Sequence, residues 1–436
     1  MPALSPPGPV LDIAKRLENE GFETWCVGGA VRDALLGHPH LDWDLATAAT
    51  PQQVRRLFPR TVPVGIEFGT VGVLDRNGTM HEVTTFRRDV ETDGRHAVVT
   101  FGATIDEDLA RRDFTLNAIA YHPKTRRLHD PFEGQQDITR RVIRAVGEPR
   151  ERMREDRLRA LRAIRFAARF DFDIDRETWQ AIVESAPHLG RLSAERVRQE
   201  LEKTMEQVER PARALELWQE SGALRALLPA IESISSLTLH TLDHLPRATG
   251  NRSSQRKMLR LVALFGELSP REAEKTARKL RFSNQQIAWT RIVVEHATRV
   301  HAEIVEAHAS ARPVSPIEMR KWIAAAGRTR IASVLRLVAA RLAAQRDAGN
   351  AVPGAESIGS LYRRVLRAAF HEPVELSDLA VSGDDLRGAG VGEGPEMGWV
   401  LHRLLDLVLE DPRRNTVEEL MRLAAELLKR YRNGER

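Results

Sequence analysis

Cysteine and long apolar runs are the scarcest features of this 436-residue chain. Its single cysteine, Cys26, excludes an intramolecular disulfide and fits a reducing cytoplasm. No apolar stretch approaches the roughly 20 residues that cross a bilayer, so we expect no membrane span. The first eight residues, MPALSPPG, lack the basic region and apolar core of a signal peptide. These absences predict a cytoplasmic globular protein in which Cys26 is a small buried side chain.

Positive charge is modest overall but unevenly distributed. The net charge is +5, with 42% hydrophobic and 29% charged residues, as in soluble globular proteins. Eleven arginines lie between Arg140 and Arg169, against four acidic residues. Such a zone favours a polyanion partner, either nucleic acid or a nucleoside triphosphate. The alternative is an ordinary solvated helical face.

Strand signals are confined to the first 147 residues. Alternating or β-branched runs predict strands at 24–27, 42–46, 69–74, 81–86, 118–121 and 127–129. Asn77-Gly78 predicts a tight hairpin turn, and the polar segment 87–97 predicts a mobile loop. Beyond Gly147 the pattern is helical, beginning with helices at 151–170, 176–185, 193–209 and 212–221. We therefore predict an α+β protein with an N-terminal α/β head and an all-helical remainder.

Two short motifs near the N-terminus indicate phosphate chemistry. Gly28-Gly29 follows an apolar run and opens a helical stretch, so its backbone N–H groups could cradle a phosphate. Asp42 and Asp44 follow closely and, if they share a strand, point to the same face. Two adjacent carboxylates repel each other unless cations lie between them, and a pair of Mg²⁺ (magnesium) ions would serve nucleotidyl transfer. Glu82, in a later strand, could complete the metal site, although it could equally be an exposed strand acid.

Two further stretches combine charges that could bind a nucleotide. Arg112 could clamp phosphate oxygens, and the adjacent Asp113 could accept a hydrogen bond from a ribose hydroxyl. Asp156 and Arg159 are three residues apart, which would place an acceptor beside a donor on one helix. That pair matches the amino and ring-nitrogen edges of cytosine and adenine, and it penalises guanine and uracil. Without context, an intrahelical salt bridge explains the same pair.

In this order, the motifs resemble those of the class II tRNA nucleotidyltransferases, the CCA-adding enzymes of the DNA polymerase beta superfamily. The resemblance covers the segments 28–33 and 42–47 as the catalytic motif and 111–118 as the ribose motif. It continues through 130–137 as a hinge, 155–159 as an amino-acid template for the base and 195–201 as a bracing helix. Segments near 381–386 and 394–398 extend the resemblance over most of the chain.

The resemblance implies a role for each candidate residue and a division of the chain. Asp42 and Asp44 would bind Mg²⁺; Glu82, proposed from its place in the alternating strand, would join them in the catalytic group. The nucleotide-binding residues would be Gly28, Gly29, Arg32, Arg112, Asp113, Asp156, Arg159, Arg162 and Arg165. Among these, Arg162 and Arg165 would hold phosphates or the primer end. The regions would be a polymerase-beta-like head (1–147), a base- and RNA-recognising neck (148–230), a body with a degenerate phosphohydrolase-like segment (231–350) and a tRNA-binding tail (351–436).

The implied function is template-independent addition of C, C and A to the tRNA 3′ end, from CTP and ATP. An A-adding relative and a bacterial poly(A) polymerase remain alternatives. A CC-adding relative is disfavoured because the segment 86–101 has full length. A catalytically inactive RNA-binding module is the alternative from another class, and the intact Asp42 and Asp44 argue against it. The tRNA acceptor arm is the expected partner, with no membrane and no obligatory protein partner.

Overall fold

The computed structural model describes residues 4–38, 42–92, 97–246 and 253–434. The chain forms two compact units. The first comprises Met1–Thr204 and Arg213–Pro229, and the second comprises Met205–Ala212 and Ala230–Arg436. In the described ranges, no helix combines the length and apolar character needed to cross a membrane.

A mixed seven-stranded sheet forms the framework of the head. The strands of the first unit are β1 (Thr24–Val27), β2 (Asp44–Thr47), β3 (Thr61–Gly65), β4 (Thr70–Leu74), β5 (Met80–Thr85), β6 (Arg87–Thr92), β7 (Ala97–Phe101), β8 (Ala120–His122), β9 (Arg127–His129), β10 (Val142–Ile143) and β11 (Asp173–Ile174). The sheet order is β3-β4-β5-β2-β1-β8-β9. Strands β2 and β5 run parallel, and the other neighbouring pairs run antiparallel.

Helices cover the sheet and continue beyond it. Those of the first 230 residues are α1 (Gly8–Asn19), α2 (Gly29–Leu35), α3 (Pro51–Leu57), α4 (Ile105–Ala110), α5 (Gly134–Arg140), α6 (Pro149–Glu155), α7 (Leu158–Phe170), α8 (Arg176–Ser185), α9 (Ala194–Gln207), α10 (Pro211–Glu220) and α11 (Ala223–Leu227). Leu45 and Val83 join the cluster beneath α1, while Val27 and Ala46 join a second cluster with α4. Both faces of the sheet therefore carry buried apolar side chains.

The described elements of the second unit are helical. They are α12 (Ser236–His244), α13 (Ser253–Phe265), α14 (Pro270–Lys279), α15 (Asn284–Ala309), α16 (Pro316–Ala326), α17 (Ile331–Asp347), α18 (Ala355–His371), α19 (Gly383–Gly388), α20 (Pro395–Glu410) and α21 (Val417–Arg432). Serine caps start many of them, and Ser269, Ser283 and Ser315 each form a reciprocal capping box. Glu267, in the segment expected to be phosphohydrolase-like, accepts hydrogen bonds from Ser235 at the start of α12.

The predicted α+β class is confirmed, and most predicted strands lie within two residues of their observed bounds. The Asn77-Gly78 turn is confirmed, because it joins β4 to β5 with Gly78 at φ +82°. Cys26 is fully buried, and burial raises the pKa of its thiol to about 12. Strand β3 was missed. The predicted loop at 87–97 is wrong over most of its length, since β6 and β7 pair as an antiparallel hairpin. The central residues 93–96 of that loop lie outside the described ranges.

Two predictions that bear on the site are also wrong. The helix predicted over 151–170 divides into α6 and α7, with Asp156 and Arg157 between them. Asp156 has an extended backbone (φ −145°, ψ 104°), which ends the first helix. The strand predicted from Asp42 begins only at Asp44, because Asp42 precedes β2 and is exposed. A parallel pair of two-residue strands, β10 and β11, adds a small non-helical element at the base of the neck.

Candidate active site

The turn between β1 and α2 brings a carboxylate and a guanidinium together. Gly28 has φ +77°, a backbone conformation that residues other than glycine rarely adopt. A Cβ atom built on Gly28 would lie 3.3 Å from Nη1 of Arg112 and 3.5 Å from Oδ2 of Asp44. Glycine at this position thus allows three predicted site residues from separate parts of the chain to meet.

Asp44 and Glu82 lie side by side on adjacent parallel strands. Leu45 pairs with Val83, and both side chains fill the core beneath the sheet. Since side chains alternate along a strand, Asp44 and Glu82 share the opposite face. Asp44 is half-buried, and burial together with the charge on Glu82 raises its pKa to about 6. Asp42 also raises this pKa, while Arg112 lowers it.

The crowded carboxylates fit a divalent cation. Asp42 flanks Asp44 on the other side of Trp43, whose ring is buried. Carboxylate oxygens are the ligands that Mg²⁺ prefers, and Mg²⁺ commonly uses one or two of them with substrate phosphates and water. Within the described residues, no group of three or more acidic, histidine or cysteine side chains is arranged to hold a metal alone. Asp42 and Asp44 would therefore supply only part of the coordination shell.

Arg112 is held in place by an acid that the sequence analysis missed. Asp108 on α4 is 1% exposed. Its carboxylate accepts one hydrogen bond from Arg112 Nη2 at 3.0 Å and another from Arg111 Nε at 3.0 Å. Burial alone would raise the pKa of Asp108, but the two arginines lower it below its usual range. The spacing of three and four residues along a helix was the available signal. Asp108 fixes the direction in which Arg112 reaches Gly28.

Asp113 is held from two sides. Its Oδ1 accepts from the Phe114 backbone N–H at 2.9 Å and from Asn117 Nδ2 at 2.8 Å. Its Oδ2 accepts from Arg162 Nε at 2.7 Å. Burial alone would raise the pKa of Asp113, but Arg162 and these hydrogen bonds lower it. The structure thus places Asp113 and Arg162, predicted for ribose and phosphate contacts respectively, in one ion pair.

Asp156 and Arg159 lie on either side of the start of α7, and each has its own partners. Asp156 accepts from the Leu158 backbone N–H at 3.0 Å and from Arg196 Nη2 at 2.7 Å. Arg159 donates to Glu155 Oε2 at 2.6 Å and to the Arg111 carbonyl at 3.1 Å. Both side chains remain partly exposed. Their proposed base-reading role stays a prediction.

Arg32 and Arg165 are the most buried of the predicted nucleotide-binding residues. Arg32 is 5% exposed, donates to Asp33 at 2.7 Å and to Asn117 Oδ1 at 2.6 Å, and lies 5.0 Å from the ring centroid of Phe166. Arg165 is 3% exposed and donates to Glu200 Oε2 at 2.7 Å. These contacts are internal, and the phosphate roles of both arginines stay predictions.

Comparisons with known proteins show which proteins this chain resembles. Two family profiles match the chain, one described as "Poly A polymerase head domain" over 24–144 and one as "Probable RNA and SrmB- binding site of polymerase A" over 171–235. The CCA-adding enzyme of Geobacillus sp. (strain WCH70) is 47% identical over 214 residues, covering 49% of this chain and 52% of that protein. The chain thus spans about half the length of the curated relatives with the highest identities. The CCA-adding enzyme of Limosilactobacillus fermentum is 33% identical over 431 residues, which is 97% of each chain.

Solved structures extend the similarity to the whole chain. The crystal structure of Bacillus stearothermophilus CCA-adding enzyme in complex with CTP has a TM-score of 0.75 and 32% identity, covering 99% of each chain. A Thermotoga maritima CCA-adding enzyme complexed with tRNA has a TM-score of 0.64 and 22% identity, over 96% of this chain and 94% of that one. At that identity the second likeness concerns the fold alone.

Proposed function

This chain belongs to the family of CCA-adding enzymes, and we propose that it adds C, C and A to the 3′ end of tRNA from CTP and ATP, without a nucleic-acid template. The observation that carries the proposal is the meeting of Asp44, Arg112 and the Gly28 turn, beside Glu82. It combines a carboxylate group for cations with a fixed guanidinium for phosphate oxygens. The single buried cysteine fits the cytoplasm as the compartment.

In the proposed reaction, the tRNA 3′ oxygen forms a bond to the α-phosphorus of CTP or ATP, and pyrophosphate leaves. Asp42 and Asp44 would hold Mg²⁺, which when bound supplies charge neutralisation for the attacking hydroxyl and the leaving phosphates. Arg112, fixed by Asp108, would orient phosphate oxygens near the Gly28 turn. Glu82 adds a third negative charge on the face of the sheet that Asp44 shares. Catalysis would rest on positioning and on charge neutralisation.

The proposed reading of the base uses Asp156 and Arg159. An Asp acceptor beside an Arg donor complements cytosine and, with a small shift, adenine, while guanine and uracil leave these groups unpaired. Arg196 on α9 and the Leu158 N–H hold Asp156, and Glu155 holds Arg159, so both side chains are oriented before a nucleotide binds. Such preorganisation supports selection by hydrogen bonding in the neck (148–230).

An exposed arginine face on α18 supports tRNA binding by the proposed tail (351–436). Arg363, Arg364 and Arg367 recur on one exposed face of this helix, and Phe370 follows on the same face at 64% exposed. Arg364 donates to the Val314 carbonyl, and within the described ranges none of the three arginines forms an ion pair. Unneutralised arginines with an adjacent aromatic ring suit RNA phosphates and bases.

Pyrophosphate release tests the proposed chemistry. The purified protein is incubated with Mg²⁺, CTP and a tRNA transcript that ends before CCA, and pyrophosphate is measured. We expect release that requires both the tRNA and the metal, and its loss in Asp42→Ala and Asp44→Ala. Glu184→Gln, a change to an exposed acid on α8, is the control and should retain release. Undiminished release in both aspartate variants would remove the carboxylate assignment, and no release by the unaltered protein would remove the proposed function.

A further inference from the structure

Asn117 lies at the centre of a buried polar chain that the proposed chemistry does not use. It ends the 3-10 turn Thr115–Asn117 before β8 and is 6% exposed. Its side-chain carbonyl accepts from Arg32 Nη1 at 2.6 Å, and its amide donates to Asp113 Oδ1 at 2.8 Å. Because arginine only donates and a carboxylate only accepts, these partners determine the orientation of the amide.

The chain of contacts ends on α7 in both directions. On one side, Asp113 accepts from Arg162 at 2.7 Å. On the other, Arg32 donates to Asp33, which accepts from Arg169 at 3.1 Å. Asn117 is the neutral residue between the Asp113 carboxylate and the Arg32 guanidinium. An amide is the side chain that can accept from a cation and donate to an anion at the same point.

Asn117 and Asp113 are each held by more than one partner. Arg32 is fixed between Phe166 and Phe170, with its guanidinium carbon 5.0 Å from each ring centroid. Asp113 has a side chain that is 10% exposed, so a small part of its carboxylate remains accessible. Asn117 and the Phe114 N–H fix one carboxylate oxygen, while Arg162 fixes the other.

We propose that Asn117 is a positioning residue that aims the Asp113 carboxylate at the ribose and thereby sets selection for the 2′-hydroxyl. The proposal rests on the proposed function and on the expectation, from the family resemblance, that Asp113 lies near the ribose. A carboxylate in a fixed orientation binds more tightly a nucleotide whose 2′-hydroxyl donates a hydrogen bond to it. A 2′-deoxynucleotide lacks that hydroxyl and cannot form this hydrogen bond. Loss of the Asn117 donor leaves Asp113 Oδ1 with the Phe114 N–H as its remaining described partner, so the orientation of the carboxylate is less constrained and the preference for the 2′-hydroxyl declines.

The test compares equilibrium binding of CTP and 2′-deoxy-CTP, with Mg²⁺, by calorimetry. We expect the unaltered protein to bind CTP more tightly and Asn117→Asp to reduce the ratio of the two dissociation constants by about fivefold or more, since a hydrogen bond to a charged group is at stake. Asn117→Asp keeps the volume and the acceptor for Arg32, but it replaces the donor to Asp113 with an oxygen. Asn117→Ala removes both contacts and should give at least the same reduction, providing a second test if Asn117→Asp does not fold.

Thr85→Val is the matched control. Thr85 is 1% exposed and its hydroxyl donates to the Ala49 carbonyl at 2.7 Å, and neither residue belongs to the polar chain. This variant should lose stability while keeping the ratio. An unchanged ratio in the folded Asn117 variants, or equal affinities in the unaltered protein, would overturn the inference. Binding does not require transfer, so a protein that prefers CTP over 2′-deoxy-CTP but extends no tRNA contradicts the proposed function and leaves this inference standing.

Discussion

Asp44 is half-buried between two other carboxylates and one arginine. Burial and the charges of Glu82 and Asp42 disfavour its ionised form, and Arg112 compensates for part of that cost. A bound divalent cation would remove the remaining cost by adding positive charge where it is lacking. At the scale of single residues, the carboxylates of the candidate site therefore repel one another.

This repulsion predicts that the free energy of unfolding depends on pH when no divalent cation is bound. The pKa of Asp44 is raised from 3.8 to about 6, so the folded state binds the proton more tightly than the unfolded state. Stability from this group is therefore fully present below pH 4 and is lost as pH rises through 6. In EDTA at pH 8, Asp44→Asn should raise the free energy of unfolding by roughly 2 kcal/mol, as measured by urea denaturation.

The same comparison at pH 4 is the internal control, because both proteins then carry a neutral side chain at this position. The gain from Asp44→Asn should vanish there, and it should shrink at pH 8 when Mg²⁺ replaces EDTA. An equal gain at both pH values would contradict the electrostatic account.

Gly28 gives a second prediction at the residue scale. Gly28→Ala places a methyl group 3.3 Å from Arg112 and 3.5 Å from Asp44, at a positive φ. We expect a loss of about 1–3 kcal/mol in unfolding free energy and a loss of nucleotide addition. Gly190→Ala is the control, since nothing lies within 4 Å of its added Cβ and its φ is not positive. Full activity in Gly28→Ala would contradict the close approach of these residues.

The sequence singled out Gly28, Asp44 and Arg112 through short motifs, and the structure brings the three together, while their roles in a site stay predictions. The sequence was insufficient for the pairs Asp113–Arg162 and Asp156–Arg196, whose members lie 49 and 40 residues apart. In an arginine-rich segment, each acid has several possible partners. Only the packing of α7 and α9 against the rest of the first unit decides between them.

At the scale of elements, α9 acts as the support of α7. Its residues Arg196 and Glu200, one helical turn apart, contact Asp156 and Arg165 of the α7 segment. Glu200 and Arg165 are both nearly inaccessible. Two opposite charges on one face of α9 therefore fix the start and the middle of α7 by different contacts.

Removing the charge of the buried Glu200 should strongly weaken the contact between α9 and α7. Glu200→Gln takes away the buried counter-charge of Arg165 and should lower the free energy of unfolding by about 3 kcal/mol, as measured by chemical denaturation. Glu184→Gln breaks the exposed pair with Arg150 on α8 and is the matched control, for which we expect little change. Equal effects of the two variants would contradict the importance of burial.

Element boundaries were less predictable than element types. The apolar periodicity continues through α6 and α7, so pattern alone predicts one helix. The break depends on Asp156, whose side chain accepts from Leu158 and from Arg196 on another helix. Strand β6 is mostly polar, and the polar composition of the segment 87–97 predicted a loop. Its order comes from cross-strand pairing, which composition does not report.

For the whole molecule, charge placement matters more than net charge. The net charge of +5 is small, yet α18 presents three arginines on one exposed face. If these contact phosphates, tRNA affinity should depend on salt in proportion to their number. The triple variant Arg363→Ala, Arg364→Ala, Arg367→Ala should weaken tRNA binding and reduce the slope of log affinity against log salt by about 2–3.

Arg422→Ala is the control for this prediction. Arg422 is an exposed arginine on α21, but Glu419 and Glu426 already neutralise it. Its removal should leave the salt slope unchanged. A triple variant with an unaltered slope would exclude the α18 face from the tRNA-binding surface.

The central claim is that this protein completes the tRNA 3′ end and then stops. The most direct test incubates it with Mg²⁺ and three tRNA transcripts that end before CCA, after C, and after CC. Each receives CTP, ATP or both, and products are resolved at single-nucleotide length. We predict that all three are extended to CCA with no further addition. Extension of only the CC-ending transcript by one A, or a long ladder of A, would contradict the claim and assign the protein to A-addition or to poly(A) synthesis.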